Sequence, residues 1–242
     1  MINMKHIEHY RVPMHDTDVN SIASASAVLR YMQEAANRQF ENRHPTLEEL
    51  RNENKAFILN KLNMSIYQPI YAYETITAET WPCESKGASF NRCSRILRGG
   101  VIIAELSSVW ALIDINTHKL LRVTDFVWDV ENEPALELDS PARIKIPKDI
   151  QLSLVGERTI VYSDLDLNNH MNNTNFPDMI CDYLPSMIEK RVISISINYA
   201  SELQGGETVK MYLGENDGIY YMRTIRENGT VGVEAEIVLD EI

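Results

Sequence analysis

The feature that most constrains the fold of this chain is an internal duplication. The segment Asp16-Thr-Asp18-Val-Asn20 returns as Asp164-Leu-Asp166-Leu-Asn168, so that position 166 repeats position 18 at a distance of 148 residues. Both segments read D-x-D-x-N, and each is followed by a helical pattern and then by strand patterns. More than half of the 242-residue chain separates the copies. The repeat therefore predicts two tandem units built on one plan.

Each motif precedes apolar residues at helical spacing, which predicts a long helix with one buried face. The first set is Leu29, Met32, Ala36 and Phe40. The second set is Met179, Ile180, Tyr183, Leu184, Met187 and Ile188. Pro185 lies inside the second pattern, and we expect it to kink or end that helix because proline lacks the backbone donor.

Strand patterns follow each predicted helix. In the first copy they cover 56–68, 73–82, 87–98 and 101–115, and in the second copy 192–201, 207–215, 219–227 and 230–239. Glycine-containing turns such as Gly99-Gly100 and Asn228-Gly229 predict tight hairpins. We therefore predict an α+β fold with units at 1–128 and 149–242, joined by a connector at 129–148. In this fold the sheets pair edge to edge into one sheet, which carries a long helix from each unit.

The two copies differ at two titratable positions. His170 stands where the first copy has Ile22, and Glu202 stands where it has Pro69. A histidine exchanges protons near neutral pH, and a carboxylate in an apolar pocket has a raised pKa that makes it a usable base. Taken singly, a structural histidine and a solvated glutamate are the more common outcomes. Their joint absence from the first copy favours a catalytic site in the second.

Two further residues of the second motif fit the same chemistry. The amide of Asn168 can donate to an oxyanion, and Asp166 can orient its neighbours as a supporting carboxylate. The D-x-D-x-N segment can also be a turn that only caps a helix, and for the first copy both interpretations have equal weight. Cys181, between apolar neighbours on the second predicted helix, is interpreted as structural.

Composition excludes several classes of protein. The net charge of −12 argues against a general nucleic-acid binder. No apolar run is long enough for membrane insertion, and the N-terminal residues do not resemble a signal peptide, so we expect a cytoplasmic protein. The cysteines, which are Cys83, Cys93 and Cys181, lack the spacing of a disulfide framework or a zinc site.

No phosphate-binding loop, metal-ligand cluster or serine-centred elbow is present in the sequence, so we expect neither a metal nor another cofactor. Arg92, Arg95 and Arg98 lie close together in the chain. They can form a local basic patch for an acidic partner, or they can be a solvated strand edge.

The segment Ser163–Asn173 reads SDLDLNNHMNN. It resembles the S-D-L-D-x-N-x-H-V-N-N stretch of the acyl-acyl carrier protein thioesterases. The helical segment 27–37 and the strand segment 108–114 resemble the same family, so the resemblance covers almost the whole chain. It implies a double hot-dog fold and hydrolysis of fatty acyl-acyl carrier protein to free fatty acid and carrier thiol in fatty acid biosynthesis.

By the same resemblance the catalytic residues are Asp166, Asn168, His170 and Glu202. Leu203 stands where many members carry a cysteine, which excludes a cysteine nucleophile at that position. Glu202 would activate a water and Asn168 would hold the oxyanion. His170 would either support that oxyanion or protonate the leaving thiolate, and the sequence does not separate these roles.

The acyl chain needs an apolar tunnel, for which the first copy is the natural place. Met32, Ala36, Phe40 and Met64 are the candidate lining residues, although such a stripe is more often plain core. Two alternatives remain at this stage: a hot-dog dehydratase or hydratase acting on acyl thioesters, and a non-catalytic acyl-binding module. A homodimer is compatible with the sequence but not required, because the paired halves already mimic a dimer of single units.

Overall fold

The computed structural model describes residues 5–138 and 143–242. Residues 1–4 of the predicted first unit and 139–142 of the predicted connector lie outside the described residues. The helices are α1 (Ala25–Glu41), α2 (Leu47–Asn52) and α3 (Phe176–Cys181). The strands are β1 (His6–Arg11), β2 (Lys55–Ile66), β3 (Thr75–Pro82), β4 (Phe90–Arg98), β5 (Val101–Asp114), β6 (Leu120–Leu121), β7 (Ser153–Thr159), β8 (Lys190–Tyr199), β9 (Thr208–Asn216), β10 (Ile219–Arg226) and β11 (Val231–Glu241).

The strands form one antiparallel sheet in the order β1-β3-β4-β5-β2-β8-β11-β10-β9-β7, with β6 paired to β5. This order has an internal symmetry, because β1 to β5 on one side correspond to β7 to β11 on the other. The two halves meet where β2 pairs with β8, from Lys61 opposite Asn198 to Ser65 opposite Ser194. The predicted joining of two sheets into one is therefore confirmed.

The helix α1 begins at a side-chain cap and packs along the sheet of the first unit. The Ser24 hydroxyl accepts a hydrogen bond from the backbone N–H of Ala27, which satisfies one of the free donors of the first turn. Val28, Leu29 and Met32 are almost completely buried. They belong to one core that continues across the β2–β8 junction into the second unit, so the two units share their interior.

The second helix is much shorter than the sequence pattern predicted. α3 has six residues and ends at Cys181, so the expectation of a long second helix is wrong. A helix continued through Pro185 would bring the proline ring against the carbonyl four residues earlier, at Cys181. Met179, Ile180 and Leu184 are still buried. Ile188, the last residue of the predicted set, is 64% exposed. The apolar pattern therefore predicts burial near α3 but neither the helix length nor the burial of its far end.

Three strands were not predicted from the sequence: β1, β7 and the two-residue strand β6. β1 and β7 form the two outer edges of the sheet, where they pair with β3 and β9 respectively. Each lies a few residues before its D-x-D-x-N motif, which completes a five-stranded unit on each side. Among the described residues, no helix is long and apolar enough to cross a membrane.

Candidate functional site

The second D-x-D-x-N motif folds into a closed turn held by Asp166. The backbone N–H of Asp166 donates to the carbonyl of His170 at 2.8 Å. The Asp166 Oδ1 atom accepts from the backbone N–H of Asn168 at 2.7 Å and from that of His170 at 3.3 Å. Asn169 completes the turn with a φ of 62°, a left-handed conformation that asparagine tolerates. This turn fixes where the side chains of Asn168 and His170 begin.

The first motif folds into the same turn. The Asp18 Oδ1 atom accepts from the backbone N–H groups of Asn20 at 2.8 Å and Ile22 at 3.4 Å, and Ser21 has a φ of 62°. Asp18 and Asp166 therefore share one role in holding the turn. Ile22 occupies the position in the first turn that His170 occupies in the second.

The residues after each turn meet the second part of the site. The backbone N–H of Met171 donates to the carbonyl of Leu203 at 2.8 Å, and that of Ala23 donates to the carbonyl of Ile70 at 2.7 Å. Glu202 and Pro69 directly precede these two acceptor residues. The pairing of Glu202 with Pro69 that the sequence suggested therefore corresponds to equivalent places in the fold.

His170 and Glu202 are in contact. The imidazole Nδ1 atom lies 3.4 Å from the carboxylate Oε2 atom, and the two side chains are 27% and 53% exposed. The expectation that Glu202 lies in an apolar pocket is wrong, because Glu202 follows β8 in a loop at the protein surface. If this carboxylate acts as a base, the adjacent imidazole and a bound substrate must provide its environment.

The two asparagines of the repeat have different surroundings. Asn20 is tied to the second unit, since its amide nitrogen donates to the carbonyls of Met187 at 2.8 Å and Lys190 at 2.9 Å, and its amide oxygen accepts from the backbone N–H of Glu189 at 2.9 Å. The amide of Asn168 has only a long contact of 3.5 Å with Asp166 Oδ2 among the described residues. The Asn168 amide is therefore free to bind a ligand oxygen.

A large cavity reaches the second motif. Its volume is about 900 Å³, within the usual range for small-molecule sites. Most of its wall comes from the first unit, and Asp166 and Asn168 contribute from the second. Six aromatic side chains form much of the apolar wall: Phe40, Phe57, Phe90, Trp110, Phe126 and Trp128. The cavity is thus long-chain sized, largely apolar and continuous with the candidate catalytic turn.

The candidate lining residues divide into two pairs. Ala36 and Phe40 lie on the cavity wall. Met32 and Met64 are 0% exposed and belong to the shared core instead, away from that wall. The aromatic residues of the connector side, including Trp128, were not identified from the sequence. The aromatic spacing of Phe126 and Trp128 is the one signal that could have pointed to them.

The three arginines of β4 do not form a basic patch. Arg95 forms an ion pair with Glu79 at 2.7 Å, and Arg98 forms one with Glu74 at 3.0 Å. Arg92 is buried and lines the cavity. Neither interpretation made from the sequence, a docking patch or a solvated strand edge, describes Arg92.

Cys181 is not suited to be a nucleophile. Burial, followed by the nearby carboxylates of Asp178 and Asp182, raises the pKa of its thiol to about 12. The reactive form of cysteine is the thiolate, which is scarce at neutral pH when the pKa is so high.

We therefore expect Cys181→Ser to change kcat less than about twofold, because the thiol is protonated and takes no part in the chemistry. Steady-state hydrolysis of an acyl thioester by the variant and the wild type measures this. A loss of a hundredfold or more, with an unchanged melting temperature, would assign chemistry to Cys181.

The pseudo-symmetric ten-strand path with helices packed on it defines a double hot-dog protein. The first part of the chain, residues 3–130, matches the family model for the acyl-ACP thioesterase N-terminal domain, and residues 147–240 match the model for the C-terminal domain. The chain belongs to the acyl-ACP thioesterase family.

Individual relatives are distant in sequence. The chain is 26% identical over 226 residues to the chloroplastic oleoyl-acyl carrier protein thioesterase 2 of Arabidopsis thaliana, a match that covers 84% of this chain and 60% of the relative. It thus spans about 60% of the length of that curated relative.

Two solved structures share the fold over nearly their full length. An acyl-ACP thioesterase from Bacteroides thetaiotaomicron superposes with a TM-score of 0.88 at 20% identity, covering 98% of both chains. The 12:0-ACP thioesterase from Umbellularia californica superposes with a TM-score of 0.81 at 16% identity, covering 100% of this chain and 99% of the other. These structures confirm the double hot-dog fold.

Proposed function

We propose that this protein hydrolyses fatty acyl-acyl carrier protein to free fatty acid and carrier thiol, as a step in fatty acid biosynthesis. The observation that carries the proposal is the His170–Glu202 contact of 3.4 Å, together with the large apolar cavity that reaches Asn168. Family membership supports the thioester as substrate. The site lies in the second copy, because Ile22 and Pro69 occupy the equivalent places in the first.

The proposed roles follow from the contacts. Glu202 accepts a proton from the attacking water, and the freely placed amide of Asn168 donates to the developing oxyanion. Asp166 is a positioning residue, since its carboxylate holds the turn from which Asn168 and His170 project. The imidazole of His170, beside Glu202, has one of two roles. It donates a second hydrogen bond to the oxyanion, or it protonates the departing thiolate.

The proposed units are 1–128, which provides most of the acyl cavity, and 149–242, which provides the catalytic turn, with 129–148 as connector. The mirrored strand order supports this division. The carrier protein is the proposed partner, and the cytoplasm is the proposed location. Because β1 and β7 leave open sheet edges, further dimerisation is compatible with the fold, and sedimentation at several concentrations tests it.

Chain length gives a direct test of the proposed cavity. Ala36 lies on the cavity wall and is nearly buried, so Ala36→Phe should fill part of the space an acyl chain would take. We expect the variant to favour shorter chains, with kcat/KM for the longest good substrate falling about tenfold or more. The measurement is kcat/KM across a series of saturated acyl-acyl carrier proteins.

Ala35→Phe is not a suitable control, because Ala35 is completely buried in the core. Glu41→Phe, at the exposed end of the same helix, tests for a general effect of a phenyl ring on α1. An unchanged chain-length profile in Ala36→Phe would show that the acyl chain does not occupy this cavity.

The reaction type is tested with saturated and enoyl thioesters of the same carrier. A thioesterase releases free thiol and fatty acid from the saturated substrate, whereas a dehydratase or hydratase interconverts the enoyl and hydroxyacyl forms without releasing thiol. Free thiol is followed with a chromogenic disulfide and the acid by mass spectrometry. Absence of any turnover, with tight acyl binding, would instead indicate a binding module.

A further inference from the structure

Arg92 places a buried guanidinium in the wall of the cavity, whose lining also includes the charged residues Glu48, Arg51, Lys55 and Asp166. Arg92 is 9% exposed, and its Nη1 group donates to the amide oxygen of Gln39 at 2.8 Å and to the hydroxyl of Thr80 at 2.9 Å. Both acceptors are neutral. Within 5–138 and 143–242, no carboxylate lies within 4.0 Å of the guanidinium, and its Nε and Nη2 groups donate no hydrogen bond.

Among the described residues, no carboxylate forms an ion pair with Arg92. Burial lowers the pKa of Arg92 to about 10, so the group is still a cation at neutral pH. The thiols of Cys83 and Cys93, which pack with Trp81 in a separate cluster, act in the opposite direction to burial and raise this pKa. Because neighbouring residues of a strand point to opposite faces, Cys93 lies across the sheet from the Arg92 side chain. A buried cation without a charged partner is costly, and a ligand anion would offset that cost.

Two more polar atoms in the same wall lack partners. The Gln33 Oε1 and Trp128 Nε1 atoms are buried and have no hydrogen-bond partner among the described residues. Both residues line the cavity. The Arg92 guanidinium lies 5.4 Å from the centre of the Trp128 ring, which stacks on Phe40 at 4.3 Å. A plain alkyl chain would leave the Arg92 and Trp128 donors unsatisfied, whereas a ligand oxygen could accept from both. The Gln33 oxygen is itself an acceptor and requires a donor instead.

We propose that the cavity selects acyl chains that carry a carboxylate remote from the thioester, and that Arg92 is the residue that binds this carboxylate. This inference rests on the proposed thioesterase function and adds a substrate class to it. A carboxylate offers two acceptor oxygens to the unused N–H groups of a guanidinium, in the geometry that makes such pairs strong and specific. The centre of the Trp128 ring lies 5.4 Å from the guanidinium, and its unpartnered N–H can add a third hydrogen bond.

Hydrolysis is tested with three carrier-protein thioesters of one chain length, which end in a methyl, a hydroxyl or a carboxylate group. We expect kcat/KM for the ω-carboxyacyl substrate to exceed that for the saturated substrate about tenfold or more. Hydrolysis of the saturated substrate with slower turnover of the ω-carboxyacyl one would overturn this inference but uphold the proposed function. A preference for the ω-hydroxyacyl substrate would overturn the carboxylate assignment.

Binding without turnover decides the inference even if no thioester is hydrolysed. Calorimetry compares monomethyl decanedioate with methyl decanoate, which share a neutral ester but differ in the remote carboxylate. We expect the monomethyl decanedioate to bind about tenfold tighter or more, and Arg92→Met to abolish the difference. Equal affinities for wild type would overturn the inference.

Matched variants distinguish the loss of the carboxylate contact from a general effect of substitution on the fold. Arg95→Met removes a cation from the same strand, β4, but one that is paired with Glu79 away from the cavity, so it should keep the preference. Trp128→Phe keeps the stacked ring and removes the N–H, and should reduce the preference partly. If Arg92→Met does not fold, Arg92→Gln and Trp128→Phe provide the same comparison, and an unchanged preference in both folded variants would contradict the assignment.

Discussion

Replacing Glu202 with glutamine is expected to lower kcat for acyl thioester hydrolysis by about 10²–10⁴-fold. Glutamine has nearly the same shape but cannot accept a proton from water. The carboxylate of Glu202 is about half exposed, and its one ion pair in the described structure is with His170. Because little packing is lost, the free energy of unfolding should change by less than about 0.5 kcal/mol. Steady-state kinetics and a urea titration measure the two quantities.

Glu241→Gln serves as the matched control for this variant. Glu241 is also an exposed glutamate, but it lies at the end of β11 and takes no part in the candidate site. It should hydrolyse substrate at the wild-type rate. If Glu202→Gln turns over substrate at a rate within threefold of the wild type, Glu202 takes no part in the reaction.

Replacing His170 with alanine is expected to lower kcat by about 10²–10³-fold, because either proposed role places the imidazole against developing charge. The effect should not add to that of Glu202→Gln, since the two side chains are in contact and act on one reaction. His15→Ala, an exposed histidine in the first copy, is the control and should leave kcat unchanged.

The leaving group separates the two roles of His170. If His170 protonates the departing thiolate, a thioester of a more acidic thiol should restore much of the rate of His170→Ala, since that thiolate needs no proton. If His170 supports the oxyanion, the loss should persist with both thioesters. An active His170→Ala variant with the natural thioester would contradict both roles.

The duplication was sufficient to predict the joined sheets, because strand periodicity and the glycine turns are local signals. The polar edge strands β1 and β7 were missed. They have one solvent-exposed face and no apolar run, so they lack the apolar periodicity that identified the other strands. The length of α3 was overestimated because an apolar stripe continues through a turn as readily as through a helix. Pro185 carried the relevant information about where the helix ends.

The candidate site also has a part that could be predicted from the sequence and a part that could not. His170 and Glu202 emerged from comparing two copies of one short motif, which needs no knowledge of the fold. The cavity wall combines α1, the strand ends around Arg92 and the segment around Trp128, which are distant in sequence. Only tertiary packing brings these segments together, so the buried charge of Arg92 could not be recognised from its neighbours in the chain.

Single-turnover hydrolysis in H₂¹⁸O tests most directly whether Glu202 activates a water in the second copy. With enzyme in excess over acyl-acyl carrier protein, we expect one ¹⁸O atom in the released fatty acid and no label in the protein. In Glu202→Gln the labelled acid should form at least about a hundredfold more slowly. Unlabelled fatty acid with ¹⁸O in the Glu202 carboxylate, detected by peptide mass spectrometry, would contradict water activation and show attack by Glu202 itself.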